Sequence, residues 1–243
     1  MEKVAKVKIG GKLGDFIHCL QYCGHLFKTR QIKSHIFLDP NGEPFERGAE
    51  NTFKELVPVV LSQEYVVGFS LDYDNTQPVD VNLSDFRKSQ YLYKSCWSDI
   101  IIKTFFGANE QINPDAWIKM PKKDSSRYMV VCRVNKLPLL PHIKLEYEQW
   151  FSMHDDIRFL GSQTDYDAFP MKHRCKFVAN ESLEQMFQVI SDSSMFIGNQ
   201  SSPLAIASSL NVYRVAELHP PAYPDGIHYG AEKKYYSNIK PII

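Results

Sequence analysis

The chain repeats one local pattern and restarts it near its middle. Short apolar or β-branched runs lead into turns rich in Gly, Asn, Asp, Ser and Pro, and these lead into stretches with helical spacing. Parallel strands need long crossovers, which helices supply, so strict alternation predicts an α/β fold with largely parallel sheets. In the first half, residues 4–9, 34–38, 65–71 and 79–83 read as strands. Residues 16–29, 52–62 and 97–106 read as helices, the second interrupted by Pro58 and the third ended by Gly107. Residues 121–127 contain no apolar residue after Pro121 and form the best linker. Beyond it, strands are expected at 128–133, 157–160, 176–179, 194–197 and 212–216. Helices are expected at 144–153, 182–191 and 203–210, with Ser182 and Gln185 spaced as a capping box. Two domains follow, 1–121 and 128–243, with no sequence repeat between them.

Charge narrows the function classes. Lys plus Arg number 28 against 28 Asp plus Glu, and the balance holds on both sides of Pro121. A nucleic-acid partner is excluded on this reading, since backbone binding needs a concentrated basic face. No run of about 18 apolar residues exists to span a membrane. The charged start of the chain does not resemble a signal peptide. Five cysteines, Cys19, Cys23, Cys96, Cys132 and Cys175, sit among apolar neighbours, which predicts reduced thiols and a cytoplasmic protein. Cys19 and Cys23 share a helical face, but no second Cys or His pair completes a metal set.

Two loops carry the functional signal. Gly10-Gly11-Lys12-Leu13-Gly14-Asp15 lies between a predicted strand and helix, where glycines let backbone amides approach a ligand and the helix end favours negative charge. It matches neither the dinucleotide fingerprint nor the P-loop, and an ordinary α/β turn explains it equally well. Gly198-Asn199-Gln200-Ser201-Ser202-Pro203 follows a second apolar strand. Pro203 suits the first helical position and Ser202 the N-cap, so hydroxyls and amides would converge on an anion such as a diphosphate. A well-capped helix is the plainer reading, and the two are compatible.

Taken together, these loops resemble a family. Residues 9–18, Ile-Gly-Gly-Lys-Leu-Gly-Asp-Phe-Ile-His, resemble the L-G-D-x-I-H opening of the heptosyltransferase-like GT-B glycosyltransferases of family 9. Residues 196–210 are similar to their donor-site stretch G-N-D-S-G-P-x-H-x-A-A-A-L, and Phe159-Leu-Gly-Ser162 to their strand–glycine element. The chain differs from that pattern at Gln200, Ser202 and Ala205, where the family has Asp, Gly and His. The resemblance implies two Rossmann-like α/β domains facing across a cleft, in a short form. It implies an acceptor on residues 1–121 and a nucleotide-sugar donor on 128–243. The implied reaction moves a sugar from that donor to a carbohydrate acceptor, with inversion and without metal or cofactor. Asp15 would be the general base. Two alternatives remain: a non-catalytic nucleotide-sugar-binding module, which the three differences favour, and an epimerase or hydrolase of nucleotide sugars.

An acid in a helix's first turn is common for dipole reasons alone, so Asp15 rests on the resemblance. His18, one turn on, would orient Asp15 or meet the acceptor, although a core histidine is the commoner outcome. Gly10, Gly11, Lys12 and Gly14 on one loop, and Arg133, Lys136, Gly198, Asn199, Gln200, Ser201 and Ser202 on the other side, are the expected phosphate contacts. Gly161, Gln163 and Glu217 would meet the nucleoside, with Tyr166 beside the base. Asp72-Tyr73-Asp74 has the spacing of a metal-binding acidic pair, but its turn-like surroundings favour a polar loop.

Overall fold

A computed structural model describes residues 3–41, 45, 47–74, 76–124, 127–135, 138–218, 228 and 231–242. The chain divides into two units, Met1–Lys119 and Met120–Ile243.

The first unit is built on a four-stranded parallel sheet. Its strands are β1 (Val4–Ile9), β2 (Lys33–Leu38), β3 (Val66–Leu71) and β4 (Val81–Asn82), in the order β3-β2-β1-β4. Helix α1 (Leu13–Arg30) connects β1 to β2, and α2 (Ala49–Leu61) connects β2 to β3. Every residue of α1 from Phe16 to Cys23 is buried, because the helix is covered by the sheet and by the segment following residue 96. That segment contains a π-helical turn, Asp99–Lys103, running into α3 (Thr104–Phe106), which Gly107 ends at φ 110°. Helix α2 passes through Pro58 instead of stopping there. Proline removes the bond to the Lys54 carbonyl, and because both residues lie on the exposed side of the helix, water satisfies that oxygen. Strand β4 has two residues where five were expected. Asn82 accepts a bond from the Ser84 amide at 3.1 Å and turns the chain into a 3-10 segment, Leu83–Lys88.

The second unit holds a six-stranded parallel sheet of β5 (Met129–Cys132), β6 (Ile157–Gly161), β7 (Lys176–Ala179), β8 (Met195–Asn199), β9 (Arg214–Glu217) and β10 (Ile239–Ile242). The order is β10-β9-β8-β5-β6-β7. Its helices are α4 (Pro141–Ser152), α5 (Gln163–Ala168), α6 (Leu183–Asp192) and α7 (Ser202–Ser209). Strands β5 and β8 are buried on both faces, as expected for a parallel sheet with helices on either side. One face packs Met129, Val131, Phe159 and Ile197 against Ile143, Tyr147 and Phe151 of α4.

Strand order positions the candidate loops. Read from β7, the second sheet has the sequential order 3-2-1-4-5-6 of a doubly wound fold, and the first sheet is its 3-2-1-4 portion. In such sheets ligands bind at the carboxyl ends of the strands, where the order reverses. The reversal falls between β1 and β4 in one unit and between β5 and β8 in the other.

Candidate functional site

In the first unit, the residues beyond the reversal are residues 10–15 and the 3-10 segment after β4. Asp15 lies in the first turn of α1, and Arg87 Nη2 donates to its Oδ2 at 2.5 Å. Both side chains are partly exposed, and the guanidinium rests on the Phe86 ring, 4.5 Å from its centroid. The pair lies over Gly11. A Cβ there would stand 2.4 Å from Arg87 Nη2 and 2.9 Å from Asp15 Oδ2, which are movable side-chain ends, and it is the φ of +110° that calls for glycine. The Gly10 amide donates to Ser84 Oγ at 3.0 Å, which ties the loop to the segment after β4. Lys12 is exposed at the N-cap of α1, and Gly14 follows inside the first turn.

In the second unit, strand register sets Cys132 beside Gly198 and Asn199 beside Glu217, so Arg133, Asn199 and Glu217 share one sheet edge. Gly161 ends β6 on the same edge. Gly198 is dictated by packing, since a Cβ would stand 2.1 Å from the Cys132 carbonyl oxygen. The buried Asn199 amide donates to the Val134 carbonyl at 2.9 Å and accepts from the Val134 amide at 3.3 Å. On the other side, the Asn135 amide donates to Asp165 Oδ1 at 2.9 Å, and the Asp165 amide donates to the N-cap Ser162 at 3.1 Å. The loop after β5 is thereby held from both neighbouring strands.

No protein-family model matches the chain, and none of the curated proteins does. Solved structures do. A glycosyl transferase of family 9 from Veillonella parvula DSM 2008 superposes with a TM-score of 0.64 at 13% identity, covering 100% of this chain and 87% of that one. E. coli heptosyltransferase WaaC with ADP gives 0.64 at 10% identity, over 98% and 92%. E. coli ADP-heptose lps heptosyltransferase II gives 0.53 at 14%, over 99% and 90%. The fold is of GT-B type.

Within that GT-B fold, several expected site residues take other positions. His18 is completely buried, with its ring stacked on Trp97 at 4.4 Å and 6°. An imidazole in that position belongs to the core and meets no acceptor, which corrects its catalytic assignment. Arg133 and Glu217 are joined to each other: Nε and Nη2 donate to the two carboxylate oxygens at 3.0 Å each, with both residues buried. Tyr147 adds a third bond to Glu217 at 3.2 Å. Burial first, and Glu217 second, push its phenol well above the usual range, so it stays a donor. A guanidinium and a carboxylate spent in this way are not presented to phosphate or ribose, and both expectations are corrected. Tyr166 is partly buried against Phe159 and Phe177, and its hydroxyl donates to the Lys172 and Cys175 carbonyls, so its ring is held against the edge of the core.

Helix α7 begins one residue earlier than expected. Ser201 is its N-cap, Ser202 the first helical residue and Pro203 the second. The Leu204 and Ala205 amides both reach the Ser201 carbonyl, at 3.0 and 3.3 Å. Ser201 Oγ donates to the Asn199 carbonyl at 3.1 Å, and Gln200, Ser201 and Ser202 are half-buried. Gln163 is exposed and donates to Asp167 at 3.1 Å. Lys136 lies outside the described residues. Asp72 of the acidic pair is buried against Lys8 Nζ at 2.7 Å, and Lys8 holds its carboxyl below the usual carboxylate range. Among the described residues, no cluster of three or more metal-ligating side chains occurs, and no helix is long and apolar enough to cross a membrane.

Arg87 and Ser84 escaped the sequence reading. The signal was present: in an α/β unit, whatever follows the fourth strand lands beside the first loop. Applying that rule to residues 83–88 would have placed a base and a hydroxyl next to Asp15.

Proposed function

We propose that the chain is a glycosyltransferase that moves a sugar from a nucleotide-sugar donor to a carbohydrate acceptor, with inversion and without a metal ion. The observation that carries this reading is Asp15. It is a partly exposed carboxylate at the reversal point of the first sheet, oriented by Arg87 over a loop that only glycine can form. Asp15 takes the acceptor hydroxyl proton as that oxygen attacks the anomeric carbon, and the bond to the nucleoside diphosphate breaks on the opposite face. Arg87 fixes the carboxylate's direction. The loop from Gly198 to Ser202, at the reversal point of the second sheet, takes the diphosphate through hydroxyls and the end of α7. Gly161 at the end of β6 and Gln163 at the start of α5 suit the nucleoside. The solved relatives bound to ADP and to an ADP-heptose analogue make adenine nucleotide sugars the first donors to try. The five described cysteines are free and buried, which suits the reducing cytoplasm.

General-base catalysis is worth about 10²- to 10⁴-fold, so Asp15→Ala is expected to lower kcat by that amount while donor affinity is kept. An Asp15→Ala protein that transfers sugar at the wild-type rate refutes the mechanism. A second reading, a binding module without chemistry, is favoured by α7. Ala205 is fully buried where the related pattern has histidine, and Gln200 and Ser202 stand where it has aspartate and glycine. Nucleotide sugars that raise the melting temperature with no transfer to any acceptor would select it.

A further inference from the structure

Helix α1 carries Asp15 at one end and, nine residues later and about 13 Å along its axis, Gly24. Beside Gly24, wholly within the first unit, lies a cavity of about 290 Å³. Its walls are built to stay in place. Trp117 Nε1 donates to the Ile17 carbonyl at 2.9 Å, and the Tyr65 hydroxyl donates to the Trp117 carbonyl at 2.7 Å. Gln63 clasps the backbone of Lys119 in both directions, accepting at 2.8 Å and donating at 3.2 Å.

Gly24 is the unexpected wall. In a helix interior glycine costs about 1 kcal/mol relative to alanine. Neither backbone nor packing demands it here. Its φ is not positive, and a Cβ would meet Trp117 Cβ at 3.5 Å and Tyr65 Cε1 at 3.6 Å, which are ordinary contacts. What the missing side chain provides is the space.

The lining defines the guest. Two ion pairs at the rim, Lys28–Asp115 and Lys119–Glu64, each at 2.6 Å, cancel in charge, so nothing selects a phosphate or a carboxylate. Phe27, Tyr65 and Trp117 supply apolar surface. The Gln31 amide donates to the Phe27 carbonyl at 3.1 Å and Asn113 Oδ1 accepts from the Asp115 amide at 3.3 Å, which leaves the Gln31 oxygen and the Asn113 NH₂ to accept from and donate to a guest. An uncharged guest with an apolar face and a ring of hydroxyls matches that combination. The volume lies at the small end of the range for ligand sites, which is about 300–1,000 Å³, and so fits one sugar ring. We infer that this cavity is a binding site for a neutral monosaccharide unit, separate from the Asp15 loop. The inference stands whether or not the chain transfers sugars.

The test uses the isotope-labelled full chain titrated with glucose, galactose, mannose and N-acetylglucosamine, with inorganic phosphate and AMP as comparisons. At least one neutral sugar is expected to shift the Trp117 indole N–H and the Gly24 amide saturably, with phosphate and AMP leaving both in place. Gly24→Leu should weaken that binding more than about tenfold by filling the cavity, and Gly24→Ala should keep it with an equal or higher melting temperature. If no neutral sugar moves the two signals, or if only the anions do, the assignment is overturned. Sugar binding undiminished in a folded Gly24→Leu protein overturns it as well. If that variant does not fold, the wild-type indole and Gly24 signals decide alone. A failed sugar titration leaves the nucleotide-sugar reading untouched, since that is read at the Gly198 loop.

Discussion

Arg133 and Glu217 stand 84 residues apart and look from the sequence like two independent ligand groups at strand ends. Each was correctly located on the carboxyl edge. Their mutual pairing depends on β5, β8 and β9 lying side by side, an order that no local spacing records. His18 shows the same limit differently. Helical periodicity placed it on the face of Asp15, but α1 is buried on every side from Phe16 to Cys23, so sharing a face with a partly exposed acid did not make it exposed. The buried pair has a measurable consequence. Arg133→Met leaves a carboxylate inside the core without its guanidinium, which typically costs about 3–5 kcal/mol, whereas exchanging both partners for apolar residues is often close to neutral. Chemical denaturation should therefore show Arg133→Met strongly destabilised and Arg133→Met/Glu217→Leu substantially restored. A loss below about 1 kcal/mol in the single variant would show that water or a ligand, and not the core, solvates Glu217.

Among the elements, strands were the most legible, because a short apolar or β-branched run bounded by turns has few other uses; β1 and β7 begin and end where the sequence placed them, and the buried β5 and β8 differ by one or two residues at their ends. Caps were less so. Ser182 accepts from the Gln185 amide at 3.1 Å as a capping box requires, but the Gln185 side chain returns to the Glu181 amide at 2.9 Å, one residue early. Ser201 and Ser202 are chemically equivalent candidates, and strand register, which carries β8 on to Asn199, decides between them. That register makes Gly198 the sharpest element-level prediction. Its missing Cβ lets β5 and β8 meet at the edge that carries the proposed diphosphate loop, and the obstacle is a backbone oxygen, which cannot rotate away. Gly198→Ala should cost about 2–4 kcal/mol, at the upper end for a single substitution, and should weaken nucleotide binding at the same time. A Gly198→Ala protein with wild-type melting and wild-type nucleotide affinity would show that the strands separate there at no cost.

For the whole molecule, the mid-chain restart in the pattern has a physical counterpart in two units, each with its own parallel sheet and its own buried core. The polar stretch from Pro121 is attached to the second of them. Gln188 of α6 donates to the Pro121 carbonyl at 2.9 Å, and the Lys123 amide donates to Asp192 at 2.7 Å. Composition could mark this stretch as a boundary but could not say to which side it is anchored, because α6 lies more than 60 residues downstream. A cut after Lys119 spares these bonds, together with all six strands and the Arg133–Glu217 pair. About 120 residues around a sheet whose central strands are buried lie within the size at which single domains fold alone. Residues 120–243 expressed by themselves are therefore expected to melt in one cooperative transition followed by near-ultraviolet circular dichroism. If the second sheet's reversal point is the donor site, that fragment should also bind a nucleoside diphosphate, with a melting shift that Gly198→Ala reduces. The Asp15 loop is absent from it, so transfer should be absent too. A fragment that folds cooperatively but binds no nucleotide would place the donor elsewhere, and one without a cooperative transition would mean that the second core needs the first.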